Sequence, residues 1–430
     1  MKIYNLKDIP QSTRDAILRR AGATEKRIVP EVQKIIDEVI KSGDAPIIKK
    51  YEKRTGRKIA TLRVTRSEID AAYKNIDKKL IRAIRQAARN ISAVCRAQRK
   101  SLASQESTNV LEGIDVWREW RAIQEVGLYI PGGRAYYPST VLMTAIPAAL
   151  AGCRRIVMVT PPDDNFEIPA ATLVAADIAG VTEIYKVGGV QAIAALAFGT
   201  ESIAPVYKIV GPGNSFVTVA KTLVYPTVDI DMPAGPSEVF IIADETGSPA
   251  FIAADLLADA EHGPDSAAVL VTTSSVIAEA VKREIELQLN ELTTAATIRA
   301  SLSQYGLIAV CESINAAIEF ANTYAPEHLE IMTKNPMSVA KKIVNAGSVF
   351  IGDYTTKSAG DYATGANHVL PTAGAARAFG ALSVDSFGRL VEFQKASKAG
   401  LAKIKDTIET MATAEGLPAH RNSASIRFKD

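Results

Sequence analysis

The sequence predicts an α/β fold with parallel sheets covered by helices on both faces, and three observations predict it. From about residue 124, short β-branched runs alternate with alanine-rich stretches of helical spacing. Glycine-bearing turns follow three of those runs, at Tyr129-Ile130-Pro131-Gly132-Gly133, Val187-Gly188-Gly189-Val190-Gln191 and Gly211-Pro212-Gly213-Asn214. The alternation stops at Asp231-Met232-Pro233-Ala234-Gly235-Pro236 and then resumes, which gives two α/β halves. Parallel strands need a crossover between them, and an alternating strand-helix order supplies one each time.

Before residue 124 the chain is mostly charged and helical in pattern. Residues 78–100 are the clearest case: Leu80, Ile84, Ala88, Ile91 and Cys95 recur at helical spacing, and the intervening lysines and arginines form the solvated face. Strands are expected at 125–130, 155–160, 183–187 and 207–210, with helices near 138–152, 167–179 and 191–199. In the second half, strands are expected at 238–243, 267–272, 307–311 and 348–351. Leu401, Ile404, Ile408 and Met411 mark one more helix near the C-terminus. Terminal arms of this kind cannot bury an apolar face on a sheet edge alone, so they are expected to pack on a neighbouring domain or subunit.

At 430 residues the chain is too long for one ordinary core, which suggests two or three domains. Its 50 basic and 47 acidic residues leave only +3, so no global field favours nucleic acid or an anionic membrane as partner. Cys95, Cys153 and Cys311 are odd in number and far apart, which implies a reducing compartment and no disulfide framework. Residues 1–8 lack the apolar stretch of a secretory signal, and no apolar run approaches the ~20 residues of a membrane span. A cytoplasmic protein is expected.

All four histidines lie in short segments crowded with acids and small residues. Asp259 and His262, three apart at the end of the helical run 253–261, share a face and make a workable metal anchor. Asp361 and His420 could complete an N/O tetrad suited to zinc or another divalent ion, although a simple helix-end salt bridge also accounts for Asp259 and His262. Glu327 and His328 supply two proton acceptors of different natural pKa. They converge on one ligand only if the backbone is irregular, which Pro326 favours; a surface pair near a helix start is the alternative. The three glycine turns point to a nucleotide site, because ligands of open α/β sheets bind at the carboxyl ends of strands, yet no strict G-x-G-x-x-G is present. For Cys153, beside Arg154 and Arg155, a buried structural role is the plainer reading over a thiolate nucleophile.

Taken together, Gly127 to Gly133, Val187 to Thr200, Gly211 to Asn214, Asp231 to Glu238, Ala260 to Asp265, Pro326 to Leu329, Ala359 to Tyr362 and Asn367 to Thr372 resemble histidinol dehydrogenases, in order, from about residue 30 to 428. The resemblance implies two Rossmann-like parallel-sheet domains, one inserted in the other, with helical N- and C-terminal arms. The expected boundaries are an N-terminal arm at 1–25, a large domain at 26–128 and 237–381, an inserted NAD-binding domain at 129–236, and a dimerisation arm at 382–430. It further implies a zinc- and NAD-dependent homodimer that oxidises L-histidinol twice, through the aldehyde, to L-histidine.

Residue by residue, the resemblance makes His262, Asp361 and His420 zinc ligands. It puts Asp259 where the family usually has a glutamine ligand, which adds a negative charge. It makes Glu327 and His328 the acid-base pair. Ser237, His368 and Glu415 match substrate-contacting positions, beside Asp259, His262, Glu327, Asp361 and His420, while Tyr129, Gln191 and Asn214 match cofactor-contacting ones. Glu415 and His420 would come from the partner subunit.

The nearest competing reading is a related dehydrogenase of another small polar alcohol, such as a sulfonated diol. Glu415 favours histidinol over it, because a carboxylate suits a cationic amine and repels a sulfonate. A non-catalytic relative would have lost several site positions, whereas only position 259 departs.

Overall fold

The computed structural model describes residues 1–20, 25–102, 106–132, 136–232 and 235–429. Gly133 of the first glycine turn, Pro233 and Ala234 of the central break, and 21–24 of the N-terminal arm lie outside the described residues.

In chain order the strands are β1 (Ile3–Asn5), β2 (Thr108–Leu111), β3 (Ile114–Ala122), β4 (Glu125–Tyr129), β5 (Arg155–Thr160), β6 (Glu183–Lys186) and β7 (Lys208–Val210). They continue with β8 (Asp229–Ile230), β9 (Glu238–Ala243), β10 (Ala267–Thr272), β11 (Gly306–Val310), β12 (His328–Met332), β13 (Ser348–Ile351) and β14 (Gly388–Ala396). Two parallel sheets result. One has the order β6-β5-β4-β7-β8, the other β1-β11-β10-β9-β12-β13. Apart from the added edge strand β1, both follow one plan: the first strand lies in the middle, two successors extend one way and two the other. This is the Rossmann-like topology, with a switch point between β4 and β7 in the first sheet and between β9 and β12 in the second.

Strand alternation distributes the two cores. In the five-stranded sheet Val126, Leu128, Ile156, Met158 and Ile184 face the helices Pro138–Ala151, Ala170–Ala179 and Lys78–Ser101. Tyr129, Val157, Val159 and Tyr185 face Val190–Phe198, Ser215–Val224 and Glu25–Ser42. In the six-stranded sheet Val239, Ile241, Leu270 and Ile308 pack under Pro249–Ala260 and Ser275–Leu289. Phe240, Ile242, Val271 and Ile331 pack under Ile314–Tyr324. Each fully buried large aliphatic contributes roughly 1.5–3 kcal/mol, so sheets covered on both faces hold together without disulfides.

The packing departs from the expected boundaries. Val32, Ile36, Val39, Ile47, Tyr51 and Leu62 join one core of the five-stranded sheet, and Ala72, Ile84, Ala88, Ile91 and Cys95 join the other. The helices of 25–102 therefore clothe the five-stranded sheet rather than residues 237–381. The N-terminal arm is not purely helical: β1 pairs in parallel with β11 and extends the other sheet, which makes the five-stranded sheet an insertion in the sequence of the six-stranded one. The stretch before 124 also carries an antiparallel sheet, β14-β3-β2, which the helical reading missed. Its strand β14 comes from the C-terminal arm, and Leu382, Val384 and Phe387 are core residues against Pro138–Ala151. Only the helices Lys398–Ala414 and Pro418–Ser425 remain as an arm.

Candidate active site

The functional side chains gather where the amino edge of the six-stranded sheet meets the helix that follows β4. Glu327 lies in the bend that enters β12, and His328 is the first residue of that fully buried strand rather than part of a loop. The irregularity lies just before, at Ala325, which ends the helix Ile314–Tyr324 in the left-handed region at φ 52°. That reversal followed by Pro326 brings the chain into the strand, next to β9 at the switch point.

Glu238, the first residue of β9, pins both partners through its main chain. Its N–H donates to Glu327 Oε2 at 2.8 Å, and its carbonyl lies 3.0 Å from His328 Nδ1. With the proton on Nδ1 donated to that carbonyl, His328 Nε2 is left as the free base. The Glu238 side chain is itself buried, and burial first, then the neighbouring Glu327 carboxylate, raises its pKa to about 7 against the lowering effect of Arg20. Arg20 Nε lies 3.1 Å from Glu238 Oε1, and its guanidinium stacks 3.6 Å over the Tyr324 ring. Neither Glu238 nor Arg20 was legible as a site residue.

Asp361 stands 3.9 Å from His328 Nε2, and its carbonyl lies 3.1 Å from His368 Nδ1. The other nitrogen of His368 reaches Thr140 Oγ1 at 3.1 Å, and Asn367 Nδ2 donates to the Met143 carbonyl at 2.7 Å. Thr140 and Met143 belong to the helix Pro138–Ala151 of the other sheet, so these bonds join the two halves at the cluster. Burial depresses the His368 pKa to about 4, and its imidazole is neutral at physiological pH.

The expected metal donors are arranged differently from a tetrad. Asp259 is wholly buried near the end of the helix Pro249–Ala260, and His262 follows it with Nδ1 3.1 Å from the Asp259 carbonyl. Between Asp259 and Asp361 lies Lys357, which the sequence reading passed over. Its Nζ is 2.9 Å from Asp259 Oδ1 and 2.9 Å from Asp361 Oδ2, and its side chain is 2% exposed. Burial alone would push Asp259 toward protonation, but the Lys357 ammonium, then His328 and His262, hold its pKa below the usual value. The same two carboxylates outweigh burial at Lys357 and raise its pKa. The spacing Lys357-x-x-x-Asp361 is one helical turn and was the available signal.

Among the described residues no three His, Cys, Asp or Glu side chains converge as a metal-binding set. A zinc ion held by these oxygens at ~2.0–2.2 Å would sit beside the ammonium. Charges of one and two units ~3.5 Å apart repel by roughly 10 kcal/mol even at an effective dielectric constant of ~20. With Lys357 in place, the residues present do not fit a divalent cation.

Glu415 and His420 are exposed, on the turn after Lys398–Ala414 and in the helix Pro418–Ser425, and among the described residues no hydrogen bond or ion pair joins them to this cluster. Ser237 lies half-buried immediately before Glu238, its carbonyl accepting from Ala267 N–H at 2.9 Å.

The remaining expected residues lie at the carboxyl edge of the five-stranded sheet. Tyr129 ends β4, and its buried hydroxyl accepts the Gly189 N–H at 3.2 Å. Gln191, in the first turn of Val190–Phe198, accepts from Lys50 Nζ at 2.9 Å. Asn214 caps the helix Ser215–Val224 by accepting from Val217 N–H at 3.2 Å. The loops after β4 and β7 touch: Gly211 has φ 122°, and a Cβ there would lie 2.1 Å from the Tyr129 carbonyl. Asp231 Oδ2 accepts the Gly211 N–H at 2.7 Å, and Lys221, ion-paired to Asp231, donates to the Gly211 carbonyl at 3.0 Å. A backbone crevice is thus fixed at the switch point, as a dinucleotide requires. Cys153, with its pKa pushed up to about 12 by burial, is an inert thiol.

Residues 18–428 match the histidinol dehydrogenase family. A histidinol dehydrogenase of Bacteroides fragilis is 48% identical over 432 residues, covering 100% of this chain and 99% of the relative. One of Methanothermobacter thermautotrophicus is 47% identical over 414 residues, covering 96% of each. The crystal structure of histidinol dehydrogenase from Elizabethkingia anophelis superposes with a TM-score of 0.93 at 42% identity, covering 99% of this chain and 98% of that one.

Proposed function

The chain belongs to the histidinol dehydrogenase family, an oxidoreductase family of histidine biosynthesis, and from that premise we propose how its residues divide the work. His328 Nε2 takes the alcohol proton of L-histidinol as the carbinol carbon is oxidised; NAD, which the β4/β7 switch point would hold, would supply the hydride acceptor. Glu327 then activates the water that hydrates the aldehyde, and His328 accepts the proton of the hydrate in the second oxidation, for which a further NAD would supply the hydride acceptor. Tyr129, Gln191 and Asn214 would hold the cofactor, and Lys50 and the start of Val190–Phe198 would offer positive potential to its phosphates.

The observation that carries this reading is the buried Glu327-His328 pair, aligned by one main-chain donor and one acceptor of Glu238 and bordered by the helix that leads from the β4 loop. Ser237, His368 and Asp361 would orient the substrate. We further propose a cytoplasmic homodimer in which the C-terminal helices deliver Glu415 and His420 to the partner's site. The exposed apolar side chains of Met411, Leu417 and Ile426 on that arm support an intersubunit contact. Among the described residues no helix is long and apolar enough to cross a membrane.

The test is a stoichiometry. With excess NAD and limiting L-histidinol, about two NADH per substrate are expected from two successive hydride transfers. A ratio near one, with aldehyde accumulating, would confine Glu327 and His328 to the first oxidation. No NADH under any metal condition would overturn the reading.

A further inference from the structure

The ion pair at the centre of the site carries a consequence for how substrate is held. Lys357 is not a surface lysine folded inward. Its N–H donates to Glu330 Oε1 at 3.0 Å, and the preceding Thr356 hydroxyl donates to Asp255 Oδ1 at 2.5 Å, so two buried acids fix the chain where the side chain departs. Its ammonium then bridges Asp259 and Asp361. An ammonium has three N–H donors, and two carboxylate contacts leave one. Among the described residues neither oxygen of the fully buried Asp259 carboxylate has a hydrogen-bond partner: Lys357 meets Oδ1 as an ion pair, and Oδ2 is left without a donor. A spare buried donor and a spare buried acceptor therefore lie within one side-chain cluster that also contains His328 Nε2, next to Asp361. Such groups are costly unless something pairs them, which points to a ligand bearing both an acceptor nitrogen and a cationic donor.

We propose that Lys357 is a tethered cation that takes the place of a divalent metal, so that this chain binds and positions its substrate without zinc. The remaining N–H of Lys357 donates to the lone pair of an imidazole nitrogen, and Asp259 Oδ2 accepts from the substrate ammonium. The substrate part of this assignment rests on the histidinol reading above; the exclusion of metal rests on the ion pair alone.

The test measures metal binding and ligand binding. Chelator-stripped wild-type protein is titrated with Zn2+ by calorimetry, with bound metal counted by elemental analysis, and histidinol is then titrated into the stripped protein with NADH present. Expected are no stoichiometric zinc at micromolar concentration and histidinol binding unchanged by chelation. Lys357→Met and Lys357→Gln, which free the two carboxylates, should gain zinc affinity by at least about a hundredfold and need zinc to bind histidinol. Lys357→Arg keeps the charge and should still exclude zinc, which separates charge from loss of fold. One tightly held zinc per wild-type chain, or histidinol binding that appears only on adding zinc, overturns the proposal without the variants. A wild type that excludes zinc yet ignores histidinol upholds the tethered cation and overturns the substrate reading instead.

Discussion

His328 must be neutral to accept a proton, and its surroundings favour the protonated form. Burial works against the charge, but the Glu327 carboxylate outweighs it and the pKa rises above the ordinary 6.5. Turnover should therefore climb with pH through an apparent pKa above ~6.5. Glu327→Gln removes the carboxylate that holds the proton, so the acid limb of kcat for the first hydride transfer should move to lower pH; a limb that stays in place would detach Glu327 from His328. His328→Asn should lower kcat by ~10²–10⁴-fold while calorimetry finds histidinol affinity little changed. His368 gives the opposite sign in a different property. Its folded pKa of about 4 lies below the ordinary 6.5, so as pH falls through that window the unfolded chain takes up a proton that the folded chain refuses. The melting temperature should fall between pH 6.5 and 4, and His368→Asn should flatten that slope. Solvent partly reaches the side chain, so the slope is shallower than full burial would give.

At the scale of elements, the β4 and β7 loops test the cofactor assignment. Gly211→Ala places a methyl group against the Tyr129 carbonyl in a backbone conformation that side-chain-bearing residues rarely adopt. A loss of ~2 kcal/mol or more in denaturant unfolding and weaker NADH binding by fluorescence titration are expected together. Unchanged NADH affinity in a destabilised protein would move the cofactor away from this crevice. The helices and strands on either side were legible because their spacing was strong. The predicted apolar face of residues 78–100 became the buried Ile84, Ala88, Ile91 and Cys95 of Lys78–Ser101. The strands β1, β3, β12 and β14 were not legible. β12 reads His-Leu-Glu-Ile-Met, with two ionisable residues that propensity assigns elsewhere, and each is buried against a partner from a distant part of the chain, His328 at the Glu238 carbonyl and Glu330 at the Lys357 N–H.

For the whole molecule, the arrangement of Glu415 and His420 away from the cluster predicts complementation. Two inactive variants, His328→Gln and His420→Ala, refolded together should recover about a quarter of wild-type activity, since half the dimers are mixed and each holds one intact site. No recovery in verified mixed dimers would mean that the arm serves its own subunit. The two halves divide the labour unevenly. The five-stranded sheet presents the carboxyl ends of β4 and β7 to its proposed ligand, whereas the six-stranded sheet uses the amino ends of β9 and β12 for the proposed acid-base pair. The bonds of His368 and Asn367 to the helix Pro138–Ala151 bring those two edges together.

What the sequence determined by itself was the alternating strand-helix order, the glycine turns and the family, because local periodicity and motif spacing are written in neighbouring positions. It could not give the attachment of residues 25–102 to the inserted sheet, the edge strand β1, or the meeting of Lys357 with Asp259 across ninety-eight positions of chain. Those depend on which apolar faces and which buried charges find each other in three dimensions. A lysine next to a serine in a short helix looks like solvent-exposed charge until the fold removes its water and leaves two carboxylates in exchange.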